Sequence, residues 1–378
     1  MSELYSYAVE IRRKLHEYPE IGFNLPRTTE LVCSELDKIG IPYTTEYGVC
    51  SVAAEIGQGE KIIALRADMD ALPVDEKVDV PFCSKIPGAM HACGHDSHTA
   101  TILAVAKYLK AHESELPCKV RFIFQPSEEG AISGAKMMVD NGVMDGVDHI
   151  ICTHCENTLE AGKIGVHSGD YMAACIPTTI KFIGKTTHAA IPQNGVDAVA
   201  MAVEAYTRFK EMVREEAGDR RYIWSVGRFS GGHVHNVVAD LCVMDISFRF
   251  YDMEFAERVE KRVKAICKEI ADSFGGKYEI DWHMSVGHVH NKVEIVDKFM
   301  ETSLSAGLDV CEMPSRMTSE DFGWYLTKVP GMIFRFGTRN EAEGCTTTAH
   351  TNTFKIDENG MKYAINAFIS YIMNFKEE

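Results

Sequence analysis

Leu4, Tyr7, Ala8, Ile11 and Leu15 recur at helical spacing and predict a helix over residues 3–17. Pro19 and Gly22 stop it, since proline lacks a backbone donor and glycine frees the chain to turn. A second helix is predicted over 27–39, closed by Gly40. Runs 50–57 and 61–67 are apolar enough for strands, and Gly57 and Gly59 between them predict a pair joined by a tight turn. An apolar-rich helix is expected from Thr99 to Lys110, then a strand over 119–125 and a helix over 131–140. A further strand over 148–153 is expected to end at His154. Strands alternating with helices predict an α/β fold with a largely parallel sheet. In such sheets ligands collect beyond the carboxyl ends of the strands, where His154 is expected.

The alternation changes near residue 175. A strand over 178–184, a helix over 197–214, strands near 222–230 and 237–250, a helix over 254–274 and a strand over 277–284 follow. That β-α-β-β-α-β order is the split-βαβ, or ferredoxin-like, pattern. From about 290 the first pattern returns, with a helix near 293–305, a strand at Met332–Phe336 and a helix over 358–375. The expected organisation is a catalytic domain in two parts, 1–174 and 289–378, with a lid domain inserted at 175–288. The pentapeptide Gly-His-Val-His-Asn stands at 232–236 and again at 287–291, in different contexts that point to coincidence rather than a repeat.

A chain of 378 residues is long for one core, which agrees with two domains. Its 39 basic and 55 acidic residues leave a formal charge of −16, which disfavours nucleic acid and anionic membrane as partners. No basic-then-apolar leader and no membrane-length apolar run is visible. The twelve cysteines are scattered, as for reduced thiols in a cytoplasm.

The chemistry concentrates in His91-Ala92-Cys93-Gly94-His95-Asp96. A thiolate-capable residue and an imidazole lie two positions apart, after a strand-like run that ends in Asp68 and Asp70. A second run, 120–125, leads into Glu128 and Glu129. Soft and hard ligands at the ends of strands point to a catalytic metal centre. A structural zinc finger would need paired CxxC elements, and this is a single C-x-H. Adjacent glutamates cannot point both side chains the same way, so one can bind metal while the other faces water.

These stretches occur in order with Arg12-Arg13-Lys14-Leu15-His16-Glu17-Tyr18-Pro19-Glu20, His188-Ala189-Ala190, His235-Asn236-Val237-Val238, Glu320-Asp321-Phe322, Pro330-Gly331 and His350 to Phe354. Together they resemble the M20 metallopeptidase and amidohydrolase family, in the branch of N-acyl-amino-acid amidohydrolases, hippurate hydrolases and auxin-conjugate hydrolases. The resemblance runs nearly end to end. It implies two divalent metal ions per chain, Zn2+ or Mn2+ with Co2+ or Ni2+ as further options, and a homodimer formed through the lid. Carried over by position, the ligands would be Cys93, His95, Glu129, His154 and His350. Glu128 would be general base and acid, moving a proton from the attacking water to the leaving amine. Asp70 would orient a ligating imidazole. His188 would stabilise the oxyanion, and Asn236 and Arg249 would hold the substrate carboxylate, with a structural arginine as the alternative for Arg249. A thiolate can bridge two ions, so Cys93 is expected to bridge or touch both.

The implied reaction is hydrolysis of an N-acyl amino acid, hippurate-like or N-acetyl, to a carboxylic acid and a free amino acid. A dipeptidase or aminobenzoyl-glutamate-type hydrolase with the same centre is the alternative, and a non-catalytic metal- or ligand-binding relative is the third reading. Departures from the family occur at Asn352, at 230–234 and at Cys155-Glu156-Asn157, where a bulky aromatic commonly follows the histidine. That last stretch is expected near the acyl pocket. His91 and His98 fit either support of the ligand loop or a structural role, and His233, His283, His288 and His290 read as scattered loop histidines. The stretch 311–325 fits either a pocket lining or core.

Overall fold

The computed structural model describes residues 2–376. The chain divides into two compact units. The first takes in the chain up to Tyr171, Val289–Ser315 and the chain from Asp321 onward; the second is Met172–His288 with Arg316–Glu320.

In the first unit, α1 (Ser2–Glu17) buries Leu4, Ala8, Ile11 and Leu15 on the predicted face. It also buries Arg12 and His16, which the apolar pattern did not anticipate. α2 (Pro26–Ile39) opens on proline and closes at Gly40, whose φ of 78° sends its N–H back to the carbonyls of Leu36 and Asp37. Next come β1 (Tyr43–Thr44), β2 (Val52–Ile56), β3 (Ile62–Asp68), α3 (His95–Ala111), β4 (Lys119–Gln125), α4 (Gly134–Asp140), β5 (His149–Glu160), β6 (Lys163–Val166) and β7 (Gly169–Met172). After the second unit, described below, the chain adds β12 (Val289–Asn291), α7 (Val293–Ser305), β13 (Asp309–Glu312), β14 (Gly331–Arg339) and α8 (Gly360–Met373).

The main sheet has eight strands in the order β1-β2-β4-β3-β5-β14-β6-β13. The β4–β3, β3–β5, β5–β14 and β6–β13 pairs are parallel, and the others antiparallel. It is therefore a mixed, mostly parallel α/β sheet. α3 is buried over most of its length and packs against α1 and α8.

Three local expectations change. β2 and β3 do not pair with each other, because β4 lies between them. β3 is buried from Ile63 to Asp68, and a strand with so little exposure needs a neighbour on each edge, which β4 and β5 supply. α3 begins at His95 rather than Thr99, because Gly94 takes the left-handed turn (φ 88°) at its start. His154 does not end its strand, since β5 runs on to Glu160. Its pairing with β3 stops at Cys152, whereas β14 pairs on past His154. His154 thus lies beyond the sheet on one edge only.

In the second unit, β8 (Ala174–Ile183), α5 (Ala198–Ala217), β9 (Tyr222–Gly231), β10 (Leu241–Phe250), α6 (Met253–Phe274) and β11 (Lys277–Trp282) form an antiparallel sheet in the order β11-β8-β10-β9 under two helices. Cys242, Met244, Ile246, Phe248 and Phe250 alternate into its core, where α5 and α6 contribute Phe209, Met212, Val259 and Val263. Asp197 and Asp252 cap the two helices through their carboxylates.

Candidate metal centre

Gly94 sets the geometry of the Cys93–His95 loop. A Cβ on it would strike Cys155 Sγ, and its positive φ disfavours any other residue. Cys93 is buried at 7% exposure, and His95, the first residue of α3, is fully buried. A carbonyl can only accept, so the 2.8 Å contact between His95 Nδ1 and the Asp70 carbonyl makes Nδ1 the donor. Nε2 is then the free nitrogen. It is buried without a hydrogen-bond partner, with Asp68 Oδ2 at 3.7 Å and Glu128 Oε2 at 3.9 Å. The same logic applies to His154: Nδ1 donates to the Cys155 carbonyl at 2.7 Å, and Nε2 lies 3.3 Å from Cys93 Sγ.

Glu128 and Glu129 follow β4 in a turn in which Ser127 has φ 52°. The Asp70 carboxylate accepts the N–H of Glu128 at 3.0 Å and of Glu129 at 3.1 Å. Asp70 therefore orients the His95 imidazole through its carbonyl and the glutamate turn through its carboxylate. Glu129 Oε1 pairs with His350 Nε2 at 2.9 Å. His350 sits at φ 66°, and its N–H donates to the Ala92 carbonyl at 2.8 Å.

Two ligand groups result, Cys93 with His95 and His154, and Cys93 with Glu129 and His350. Within each group the donor atoms lie within 4.8 Å of one another. Donors on one tetrahedral ion with bonds of about 2.0–2.3 Å stand roughly 3.3–3.8 Å apart. Cys93 belongs to both groups. Asp68, His98 and Cys155 also cluster here, but protein groups occupy them. Asp68 accepts from Arg66 Nη1 at 2.7 Å and from His98 Nδ1 at 2.6 Å, and His98 Nε2 accepts the Cys155 N–H at 2.9 Å.

The electrostatics of these groups follow from burial and from the neighbouring carboxylates. Burial, reinforced by the Glu129 and Glu128 carboxylates, pushes the Cys93 thiol well above its ordinary range, so its thiolate requires a nearby cation. Burial keeps His154 neutral, as a ligand must be. Burial opposes charge on His95 too, but Asp68 and Asp70 outweigh it and raise its pKa to about 10. Burial likewise works against the Glu129 carboxylate, which His350 and His95 nevertheless hold below the usual range. An orphaned buried imidazole nitrogen, a buried thiol and a carboxylate converging in this way fit divalent metal ions.

Two buried networks hold the centre. Asp96, next to His95, accepts from Arg12 Nε at 3.0 Å and His16 Nδ1 at 2.7 Å. His16 reaches Glu76 at 3.1 Å, and Arg12 reaches Glu358 at 2.8 Å. Asp321 accepts from Arg66 Nη2 and Gln125 Nε2, each at 2.9 Å, and from Ser133 Oγ at 2.7 Å, while its N–H donates to Glu128 Oε1 at 3.4 Å. These two motifs had no assigned role in the sequence. The available signal was charge inside apolar patterns, as at Arg66 within β3 and Arg12 on the buried face of α1. Phe322 and Tyr325 of the 311–325 stretch are fully buried core. His91 is buried with neither ring nitrogen partnered, and burial lowers its pKa to about 3.

His188, Asn236 and Arg249 belong to the second unit. His188 pairs with Val237 in an isolated bridge, and the Ala189 N–H donates to the Asn236 carbonyl at 3.0 Å, so His188 and Asn236 lie on neighbouring exposed segments. The Arg249 guanidinium donates to Ser319 Oγ at 3.0 Å, the Met317 carbonyl at 3.1 Å and Ser247 Oγ at 3.3 Å.

The sequence model of peptidase family M20/M25/M40 matches residues 64–374. The chain is 34% identical to the N-acetyl-L-cysteine deacetylase of Bacillus subtilis (strain 168), over 95% of this chain and 85% of that protein. It is 32% identical to an IAA-amino acid hydrolase of Arabidopsis thaliana, over 99% of this chain and 88% of that protein. Among solved structures, the YXEP protein of Bacillus subtilis, described as a dinuclear metal binding peptidase from the M20 family, aligns with a TM-score of 0.86 at 30% identity, over 99% of this chain and 98% of that one.

Proposed function

This chain belongs to peptidase family M20/M25/M40 and is a hydrolase, and we propose that it is a two-metal amidohydrolase of N-acyl amino acids. The observation that carries this reading is the presence of Cys93 in both ligand groups. His95 and His154 would complete one metal site, and Glu129 and His350 the other. Divalent ions held there supply Lewis acidity for the amide carbonyl and lower the pKa of water.

The Glu128 backbone is held by the Asp70 carboxylate and its side chain accepts the Asp321 N–H. Glu128 moves the proton from the attacking water to the leaving amine. In the second unit, His188 is assigned to the oxyanion, and Asn236 and Arg249 to the substrate carboxylate. The strand order β11-β8-β10-β9 supports reading that unit as a ferredoxin-like lid and dimerisation domain. Zn2+ or Mn2+ is the expected metal. Twelve free cysteines support a cytoplasmic setting, and among the described residues no helix is long and apolar enough to cross a membrane.

The deacetylase and conjugate-hydrolase relatives support N-acyl amino acids as substrates, and the peptidase description of the solved relative keeps dipeptides as the second reading. Mass spectrometry of a panel of N-acetyl, aryl-acyl and dipeptide substrates decides between them. Chelator-sensitive release of a free amino acid from acyl substrates is the expected result. Silence across the panel with metal verified as bound would reject the reading.

A further inference from the structure

Asn157 follows His154 by three residues on β5 and is buried at 7% exposure. Its amide is fully engaged. Nδ2 donates to the carbonyls of Thr347 and Lys355, both at 2.8 Å, and Oδ1 accepts from the Thr338 hydroxyl. Both amide hydrogens are thus spent on backbone carbonyls.

Thr347 and Lys355 bracket the segment that carries His350. Within it, Thr347 Oγ1 donates to the Thr353 carbonyl at 2.7 Å. The His350 side chain is 55% exposed, so packing alone does not fix it. Its backbone holds a left-handed φ that residues with a side chain rarely adopt, and such a conformation persists only where the surroundings impose it. Here the surroundings include the His350 N–H bond to Ala92, the Lys77 N–H bond to the Asn352 carbonyl at 2.8 Å, and the two carbonyls gathered by the Asn157 amide, which alone ties both ends of the segment to β5 through one side chain.

We propose that Asn157 is the positioning residue for His350: it closes the 347–355 loop onto β5, so the strand that carries His154 also sets the His350 imidazole against Glu129. This rests on the reading of His350 as a metal ligand. Asn157 touches no reacting group and acts only through the loop.

Zinc titration of the metal-free chain against a competing chelator tests this. The wild type should bind two equivalents. Asn157→Asp keeps the shape but removes both donors and sets a carboxylate before two carbonyls. It should weaken one equivalent tenfold or more and leave the other unchanged. His350→Ala should weaken the same equivalent, and adding Asn157→Asp to it should cost nothing further. Wild-type zinc affinity in folded Asn157→Asp, or an undiminished effect in the His350→Ala background, would overturn the proposal. Thr338→Val, which removes the bond to Oδ1 and so loosens the amide, carries the same test with a smaller expected effect if Asn157→Asp does not fold. A wild-type chain that takes up no second ion would overturn the two-metal reading itself.

Discussion

Cys93 Sγ lies 3.3 Å from His154 Nε2, with the imidazole turned so that its other nitrogen donates to the backbone. A thiol and a neutral ring nitrogen at that separation are placed as two donors to one ion. Cys93 also stands in the group with Glu129 and His350.

On the proposed reading, replacing it should affect both sites. Cys93→Ser substitutes a harder, far less acidic donor, and should lower bound metal below two ions per chain with a loss of activity of about 100-fold or more. Elemental analysis beside a rate assay checks this. Two ions and full activity would remove Cys93 from the centre.

Glu128 accepts the Asp321 N–H, and a glutamine can accept it equally well. Glu128→Gln should thus fold and keep its metal while losing on the order of 10²–10⁴ in kcat, the usual worth of a positioned acid–base group. Wild-type turnover would reject the assignment.

Metal uptake should release protons. In the metal-free chain the His95 pKa is raised to about 10 and the Cys93 thiol lies well above its ordinary range, so both are protonated near neutrality. Both must deprotonate to bind, and affinity should fall as pH falls. Calorimetry in buffers of different ionisation enthalpy should show at least two protons released per chain, with His350, whose pKa the Glu129 carboxylate raises, adding to that number. An enthalpy independent of buffer would contradict it.

His149 is buried against Tyr371, its Nε2 2.9 Å from the hydroxyl, and burial lowers its pKa from 6.5 to about 4. Between those values the unfolded chain binds a proton that the folded chain refuses, so stability falls as pH drops from 6.5 toward 4. The full loss is on the order of 3 kcal/mol. His149→Gln keeps a partner for Tyr371 and removes the titration, so its urea stability should drop less than that of the wild type between pH 7 and pH 5. Equal drops would contradict the linkage.

What could be read in the chain was local. The Cys93–His95 spacing, the adjacent glutamates and the apolar face of α1 all lie within a few residues, where side-chain direction follows from backbone geometry. Sheet neighbours did not follow from order along the chain. β4 inserts between β2 and β3, and β5 outlasts β3 beside His154. Nor did the buried charges. Arg12 meets Asp96 across 84 positions and Arg66 meets Asp321 across 255, and no local pattern encodes such a pair. His350 entered through resemblance alone, and its left-handed backbone and the Asn157 bonds beneath it are purely tertiary features.

The most direct measurement is hydrolysis of an N-acyl amino acid as a function of metal equivalents added to the metal-free chain. If Cys93 serves two ions, as proposed, turnover should be slight at one equivalent and reach its full value as the second binds. Full turnover at one equivalent, or turnover that survives chelation, would contradict it.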